Sequence, residues 1–293
     1  MDRRDFLKGA VMVSVSGVFL NRFSASAERA LPFFDDYEDM KCKKMLKSFD
    51  ASLADLPMNE LIAEVGKAFI GTEYVGGTLD ENVNERLVVK VTGLDCVTFV
   101  ENALIMARLI KKGKTEFEDY KKELEFIRYR GGKMDGYPSR LHYFSDWIYD
   151  NQEKGVVEDI TAGIGGQSYN KKINFMSTHP DSYKQIQKDP TNLEGIETVE
   201  ADMNQRLMYY IPKEEVDQYY GLLETGDIIA TTTGIAGLDV THTGFIYKEN
   251  NGTYFMHASL PNKRVMISDV ELKEYLMGNK KQTGIMVARP QPV

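Results

Sequence analysis

The chain has 293 residues, of which 42% are hydrophobic and 27% charged, enough to build a sizeable folded core. Its formal net charge is −8, which argues against nucleic acid or an anionic membrane as the main partner. Beyond the N-terminal stretch, no apolar run is long enough to span a bilayer, so no stable membrane anchor is expected.

Taken from the N-terminus, Met1-Asp-Arg-Arg-Asp-Phe-Leu-Lys8 is a charged head, Gly9 to Leu20 an apolar core, and Ala25-Ser-Ala27 a small-residue cleavage site. That order predicts a cleaved export signal over residues 1–27, with periplasmic export as the expectation. Arg3-Arg4 followed by Phe6-Leu7-Lys8 resembles a twin-arginine signal, with Asp2 in place of the usual hydroxyl residue. The choice between that route and general secretion stays open. Cleavage would remove Arg3, Arg4, Lys8 and Arg22 with Asp2 and Asp5, leaving a net charge of −10.

Residues 35–70 read as helical, broken near Pro57, with Leu53, Leu61, Ile62, Val65 and Phe69 as apolar anchors. A glycine-punctuated loop follows at 71–77, then a strand near Leu87–Lys90 and an amphipathic helix starting at Cys96. A further helix is expected over 116–127. Residues 136–220 are the least regular part and carry the single tryptophan, Trp147. From Gly221 the texture turns to strands, expected at 227–232, 240–247, 253–258, 264–268 and 283–288. No internal repeat or low-complexity linker divides the chain. One elaborated domain is expected from 28 to 293.

Cys96 lies where loop chemistry gives way to helical periodicity. Asp95 is a good N-cap and Gly93 permits a tight entry. A thiol in a first helical turn faces unpaired N–H groups and the positive end of the helix dipole, which predicts a lowered pKa and a nucleophile. The other cysteine, Cys42, sits in the charged stretch Asp39-Met-Lys-Cys-Lys-Lys-Met-Leu46, which reads as surface. A disulfide between the two competes with this reading, since the chain is expected to be exported.

Four histidines are present, and His242 and His257 fall on consecutive strands joined around Glu249-Asn-Asn-Gly252. Their numbers have the parity of one shared sheet face. A two-residue Asn251-Gly252 turn would leave them far out of register. A four-residue loop over Lys248–Asn251 would set His242 directly opposite His257, and that register is the expected one because it allows a hydrogen bond between the rings. Cys96 as nucleophile, His242 as general base and His257 as orienting group follow from this arrangement. Packing histidines, a zinc site made by Cys96, His242 and His257, and a binding-only relic are the competing readings.

Three ordered strings resemble the NlpC/p60-type branch of papain-like cysteine hydrolases. Gly71-Thr-Glu-Tyr-Val-Gly-Gly77 resembles that family's Gly-Thr-Pro-Tyr…Gly-Gly segment, with Glu73 in place of proline. Leu94-Asp-Cys-Val-Thr-Phe-Val100 resembles its Asp-Cys-Ser-Gly-Leu-Val nucleophile helix. Gly226-Asp-Ile-Ile, His242-Thr-Gly-Phe-Ile-Tyr247 and Phe255-Met-His-Ala-Ser259 resemble its following strands. The resemblance implies an α+β fold with a papain-like core: the nucleophile at a helix N-terminus packed on an antiparallel sheet, plus a large insertion over about 112–220. It also implies Tyr74 beside the nucleophile, and no metal or organic cofactor.

The Tyr137-Pro-Ser-Arg-Leu-His-Tyr-Phe-Ser-Asp-Trp147 string is similar to that of an N-acetylmuramoyl-L-alanine amidase-like subfamily. That implies a muropeptide or peptidoglycan fragment as partner and cleavage between N-acetylmuramic acid and L-alanine. Arg140, His142, Tyr143, Trp147 and Asp95 are the expected substrate-binding residues; aromatic core packing is the alternative for Trp147. The alternative functions are a γ-D-glutamyl-diamino acid endopeptidase and a non-catalytic muropeptide-binding module. Oligomeric state, and intact sacculus against soluble fragments, stay open.

Overall fold

A computed structural model describes residues 32–293, so the expected export signal at 1–27 lies outside the described residues. Helices α1 (Pro32–Ser48) and α2 (Met58–Lys67) part at Pro57, as expected. Strands β1 (Glu73–Tyr74) and β2 (Gly93–Leu94) then pair in parallel, with Tyr74 level with Leu94. The strand expected near Leu87–Lys90 does not form. Side chains take its carbonyls instead: Arg128 Nη1 donates to Val88 O at 2.6 Å and Asn102 Nδ2 to Lys90 O at 2.8 Å.

Helix α3 (Cys96–Lys111) is followed by α4 (Phe117–Arg128). Every residue of α3 from Thr98 to Leu109 is buried, so it is a central helix rather than the half-exposed one its periodicity suggests. Charges on such a helix must be paired. Glu101 Oε2 meets Arg128 Nη2 at 2.7 Å, and Arg108 pairs with Glu123 on α4. Cys42 also turns inward. It is fully buried in the same core, contrary to the surface reading, and both cysteines are free thiols.

The mid-chain elaboration contains α5 (Phe144–Glu153), β3 (Val157–Asp159), β4 (Gln167–Ser168), α6 (Phe175–Thr178), α7 (Lys184–Lys188), α8 (Thr191–Met203) and β5 (Tyr209–Pro212). The C-terminal part is β6 (Ile228–Thr233), β7 (Val240–Glu249), β8 (Gly252–Ser259), β9 (Arg264–Ile267), α9 (Leu272–Met277) and β10 (Gln282–Pro290). One large sheet runs in the order β2-β1-β9-β8-β7-β6-β10-β5-β4, with β3 also on β10. Apart from β1 with β2, its pairings are antiparallel. The insertion thus feeds strands into the edge of the main sheet.

Alternation along the strands sorts side chains onto two faces. Ile228, Ala230, Phe245, Met256 and Ala258 join the core that holds α3, where the Phe245 ring meets Phe99 edge-to-face at 5.4 Å. Ile229, Ile246, Phe255, Ile285 and Val287 lie on the other face, under Leu272 and Leu276 of α9. A third cluster, including Tyr143, Phe175, Ile196 and Leu238, forms the insertion's own core. Among the described residues no helix is long and apolar enough to cross a membrane.

Candidate active site

Asp95 caps α3 as its residue type suggests. Its Oδ1 accepts the Thr98 N–H at 2.8 Å, and Thr98 Oγ1 accepts the Asp95 N–H at 2.9 Å, a closed capping box. The cap starts the helix at Cys96, so the thiol occupies the first turn. Three backbone N–H groups, those of Thr243, Cys96 and Val97, lie close enough to its sulfur to favour the thiolate.

The Thr243 amide is available because the β7–β8 ladder stops short of it. Paired residues run from Glu249↔Gly252 to Phe245↔Met256. Ile246 N–H points to Asp227 O on the β6 side, so alternation turns the Thr243 N–H toward β8. Cys96 therefore meets the sheet at the end of a ladder, one residue from His242.

The β7–β8 register overturns the expected four-residue loop. Asn250 and Asn251 form a two-residue turn, both with positive φ (50° and 66°), as a type I′ hairpin requires. His257 then lies opposite Gly244, and His242 is its diagonal neighbour. The rings still meet: His242 Nε2 is 2.6 Å from His257 Nδ1. Direct opposition is not needed for that bond. Gly244 makes the diagonal contact feasible, since a Cβ there would lie 2.9 Å from His257 Cβ and 2.5 Å from Met256 O.

Both histidines share a face with Phe255 and Ile246, the face opposite the one on which α3 packs. Phe255 stacks on His257 at 4.8 Å and lies edge-on to His242 at 5.6 Å. Tyr275 of α9 closes the far side, 5.0 Å from the His257 ring centre. Tyr275 and Phe255 were not expected here. Phe255 could have been found from its two-residue offset to His257, whereas Tyr275 sits on a short helix that no motif links to the site.

Burial governs the electrostatics. It pushes the Cys96 thiol up to about 12, with the Asp95 charge adding to the effect and the three backbone N–H groups opposing it. The expected lowering does not occur, because desolvation of a thiolate outweighs the helix-start amides. Burial likewise lowers His242 to about 4. His257 is lower still, at about 2, from burial and then from the repulsion a protonated His242 exerts on it. The thiol and both imidazoles therefore rest neutral. Burial raises the Tyr74 phenol, with the Cys96 and Asp95 charges adding to it, which puts Tyr74 within electrostatic reach of the thiol. Among the described residues no group of three or more His, Cys, Asp and Glu side chains is arranged to hold a metal ion, so the Cys96–His242–His257 zinc arrangement is not formed.

The expected substrate-binding residues divide differently. Trp147 is 1% exposed, stacked on Phe144 at 4.9 Å in the main core. Tyr143 is buried in the insertion core, where its hydroxyl donates to Glu200 Oε1 at 2.6 Å and accepts from Met176 N–H at 2.8 Å. Arg140 is buried and bound to the protein's own groups: Leu79 O at 3.0 Å, Asp80 Oδ1 at 2.6 Å and Glu85 Oε1 at 3.5 Å. These three contacts serve the fold and leave no free binding fork. Half-buried His142 faces Tyr137, its Nε2 2.8 Å from Tyr137 O, and burial with the Arg140 charge lowers it to about 3. Two surface depressions, of about 390 and 280 Å³, lie elsewhere, beside Asn59 and Arg289 and beside Lys171 and Arg206. Neither includes Cys96.

The N-acetylmuramoyl-L-alanine amidase-like (AmiA-like) family model matches residues 64–285. The chain belongs to that family. The amidase-like match spans β1, α3, the insertion and β6 to β9, and extends into β10. An N-acetylmuramoyl-L-alanine amidase from Bacteroides uniformis ATCC 8492 has a similar structure, with 34% identity, a TM-score of 0.75, and coverage of 80% of this chain and 99% of that one. A Bacteroides fragilis protein described as a candidate xylanase is 36% identical, with a TM-score of 0.73 and coverage of 77% and 99%. A Legionella pneumophila str. Philadelphia 1 protein, at 23% identity and a TM-score of 0.63, covers 89% of this chain and 96% of its own and shares the fold. No curated protein matches the chain.

Proposed function

We propose that this amidase-like protein is a cell-wall amidase that cleaves the bond between N-acetylmuramic acid and L-alanine by a cysteine mechanism on a papain-like core. Two observations support the mechanism: the first-turn thiol of α3 lies by the Thr243 amide, next in sequence to His242, and the His242 ring is hydrogen-bonded to His257. In the tautomer in which His242 Nε2–H donates to His257 Nδ1, His242 Nδ1 keeps its lone pair for the thiol. Because the resting thiol and imidazoles are neutral, His242 takes the Cys96 proton as the sulfur attacks the amide carbon. The imidazolium then protonates the departing L-alanine nitrogen, and water, with its proton taken by His242, hydrolyses the thioester.

The tetrahedral oxyanion needs donors, and the N–H groups at the start of α3 and the Tyr74 hydroxyl are the groups available near the thiol. One such donor is typically worth about 3 kcal/mol of transition-state stabilisation. A glycanase reading would need two carboxylates flanking the reacting bond. The adjacent carboxylate, Asp95, is engaged in capping α3, so thiol chemistry is favoured. The test is product analysis on a purified muramoyl tripeptide. Free sugar and an intact peptide beginning with L-alanine are expected; cleavage after D-glutamate would replace this reading with the endopeptidase one. Cys96→Ala should abolish turnover while keeping the fold, and wild-type rates in that variant would overturn the mechanism.

A further inference from the structure

We propose that Arg140 is a positioning residue: it holds the segment 78–85 as a fixed wall beside the start of α3, where Cys96 lies, without touching substrate. The inference rests on the reading of Cys96 as nucleophile. β1 and β2 run parallel, so the chain leaving Tyr74 and the chain entering α3 depart from the same end of the sheet. Val75 N–H donates to Leu94 O at 3.0 Å, which fixes that exit, and the Thr78–Asp80 turn follows three residues later. The turn therefore begins beside the start of α3, and the Asp80 charge reaches Asp95, the helix cap.

A short turn of this kind has little core of its own, and the insertion supplies its anchors. Arg140 spans Leu79 O, Asp80 Oδ1 and Glu85 Oε1, and the Tyr129 hydroxyl also donates to Glu85, at 2.7 Å. From α7, Gln185 Nε2 donates to Asn82 O at 2.8 Å and Asp80 O at 3.3 Å, and Lys184 Nζ to Glu81 O at 2.8 Å. The Arg140 guanidinium is 5% exposed on its side chain, while Asp80 is 49% exposed. The arginine is thus the inner half of the pair and Asp80 the half that faces outward. A planar fork can hold a carbonyl and two carboxylates at once, which a lysine cannot do.

The experiment compares wild type, Arg140→Met and Gln185→Leu on two muramoyl peptides, one with the D-glutamate α-carboxylate free and one with it amidated. Positioning predicts that Arg140→Met raises KM about tenfold on both substrates with kcat little changed, and speeds amide exchange in 78–85. Cys96 alkylation by iodoacetamide, a reagent too small to need the wall, should stay at the wild-type rate. A KM effect confined to the free carboxylate would instead mean that Arg140 contacts substrate, and would overturn the proposal. Faster exchange with unchanged KM would overturn it too. Should Arg140→Met fail to fold, Gln185→Leu carries the test, with a KM increase in the same direction expected and an unchanged KM refuting the wall. Failure of the nucleophile reading would show separately, as turnover retained in Cys96→Ala.

Discussion

His242 and His257 are diagonal neighbours across the β7–β8 hairpin, and their imidazoles nonetheless share a 2.6 Å hydrogen bond. The bond crosses the space above Gly244, the residue opposite His257. Gly244→Ala should therefore damage the site by filling it. The added methyl would press on His257 Cβ, Met256 O and the Phe255 ring. Overpacking of this kind typically costs about 1–3 kcal/mol. A lower urea midpoint and a kcat reduced at least as far as in His257→Ala are expected; an unchanged kcat would show that the diagonal contact does not matter.

In the proposed mechanism His257 orients His242 and stabilises its charged form, so its replacement should act on kcat more than on KM. With His257→Gln the hydrogen bond to His242 Nε2 can survive, and a larger share of activity should remain than with His257→Ala. Steady-state kinetics of both variants decide this. Equal losses in the two would argue that ring packing against Phe255 and Tyr275, rather than the hydrogen bond, is what His257 provides.

A neutral thiol pushed up to about 12 beside an imidazole near 4 is not a preformed ion pair. Alkylation of Cys96 in the free enzyme should consequently rise with pH from 6 to 9, about tenfold per unit, without a plateau. A rate already flat between pH 5 and 8 would reveal a standing thiolate–imidazolium pair. The acid limb of kcat/KM should fall near pH 4 to 5, below the range of an ordinary histidine, because His242 stays unprotonated until then.

The same burial links pH to stability. His142, His242 and His257 have folded pKa values of about 3, 4 and 2, all depressed below 6.5. Between those values and 6.5 the unfolded chain binds the protons and the folded one does not. Stability is then complete above about pH 6.5 and falls as pH drops toward each folded value, by up to about 1.4 kcal/mol per pH unit for each histidine. Urea unfolding at pH 7, 6 and 5 should show the decline, and His142→Gln should flatten it. A midpoint independent of pH across that range would contradict the buried neutral assignment.

Trp147 discriminates a sugar platform from a core residue. Its burial against Phe144 predicts that Trp147→Ala costs about 3–5 kcal/mol of stability. Trp147→Phe should keep KM within about twofold of wild type, since a core role leaves substrate affinity intact. A large KM increase in the Phe variant with unchanged stability would return Trp147 to the substrate site.

Local rules made much of this protein readable from its residues. Asp95 before a 3.6-residue periodicity marks the start of α3, because capping is a contact between neighbours in sequence. The β-rich C-terminal quarter, the α4 span and the shared face of His242 and His257 follow from periods and turn residues in the same way. Register did not follow. Asn250-Asn251, Asn251-Gly252 and a four-residue loop are all plausible turns, and choosing among them depends on which faces the two cores bury. Tertiary structure also decided what contacts between distant residues decide. Cys42 turned inward, Trp147 and Tyr143 were absorbed into cores, and Arg140 found Asp80 and Glu85 some 60 residues away. It raised the thiol pKa as well, since desolvation depends on everything packed around Cys96, whereas the amides that would lower it belong largely to its own helix.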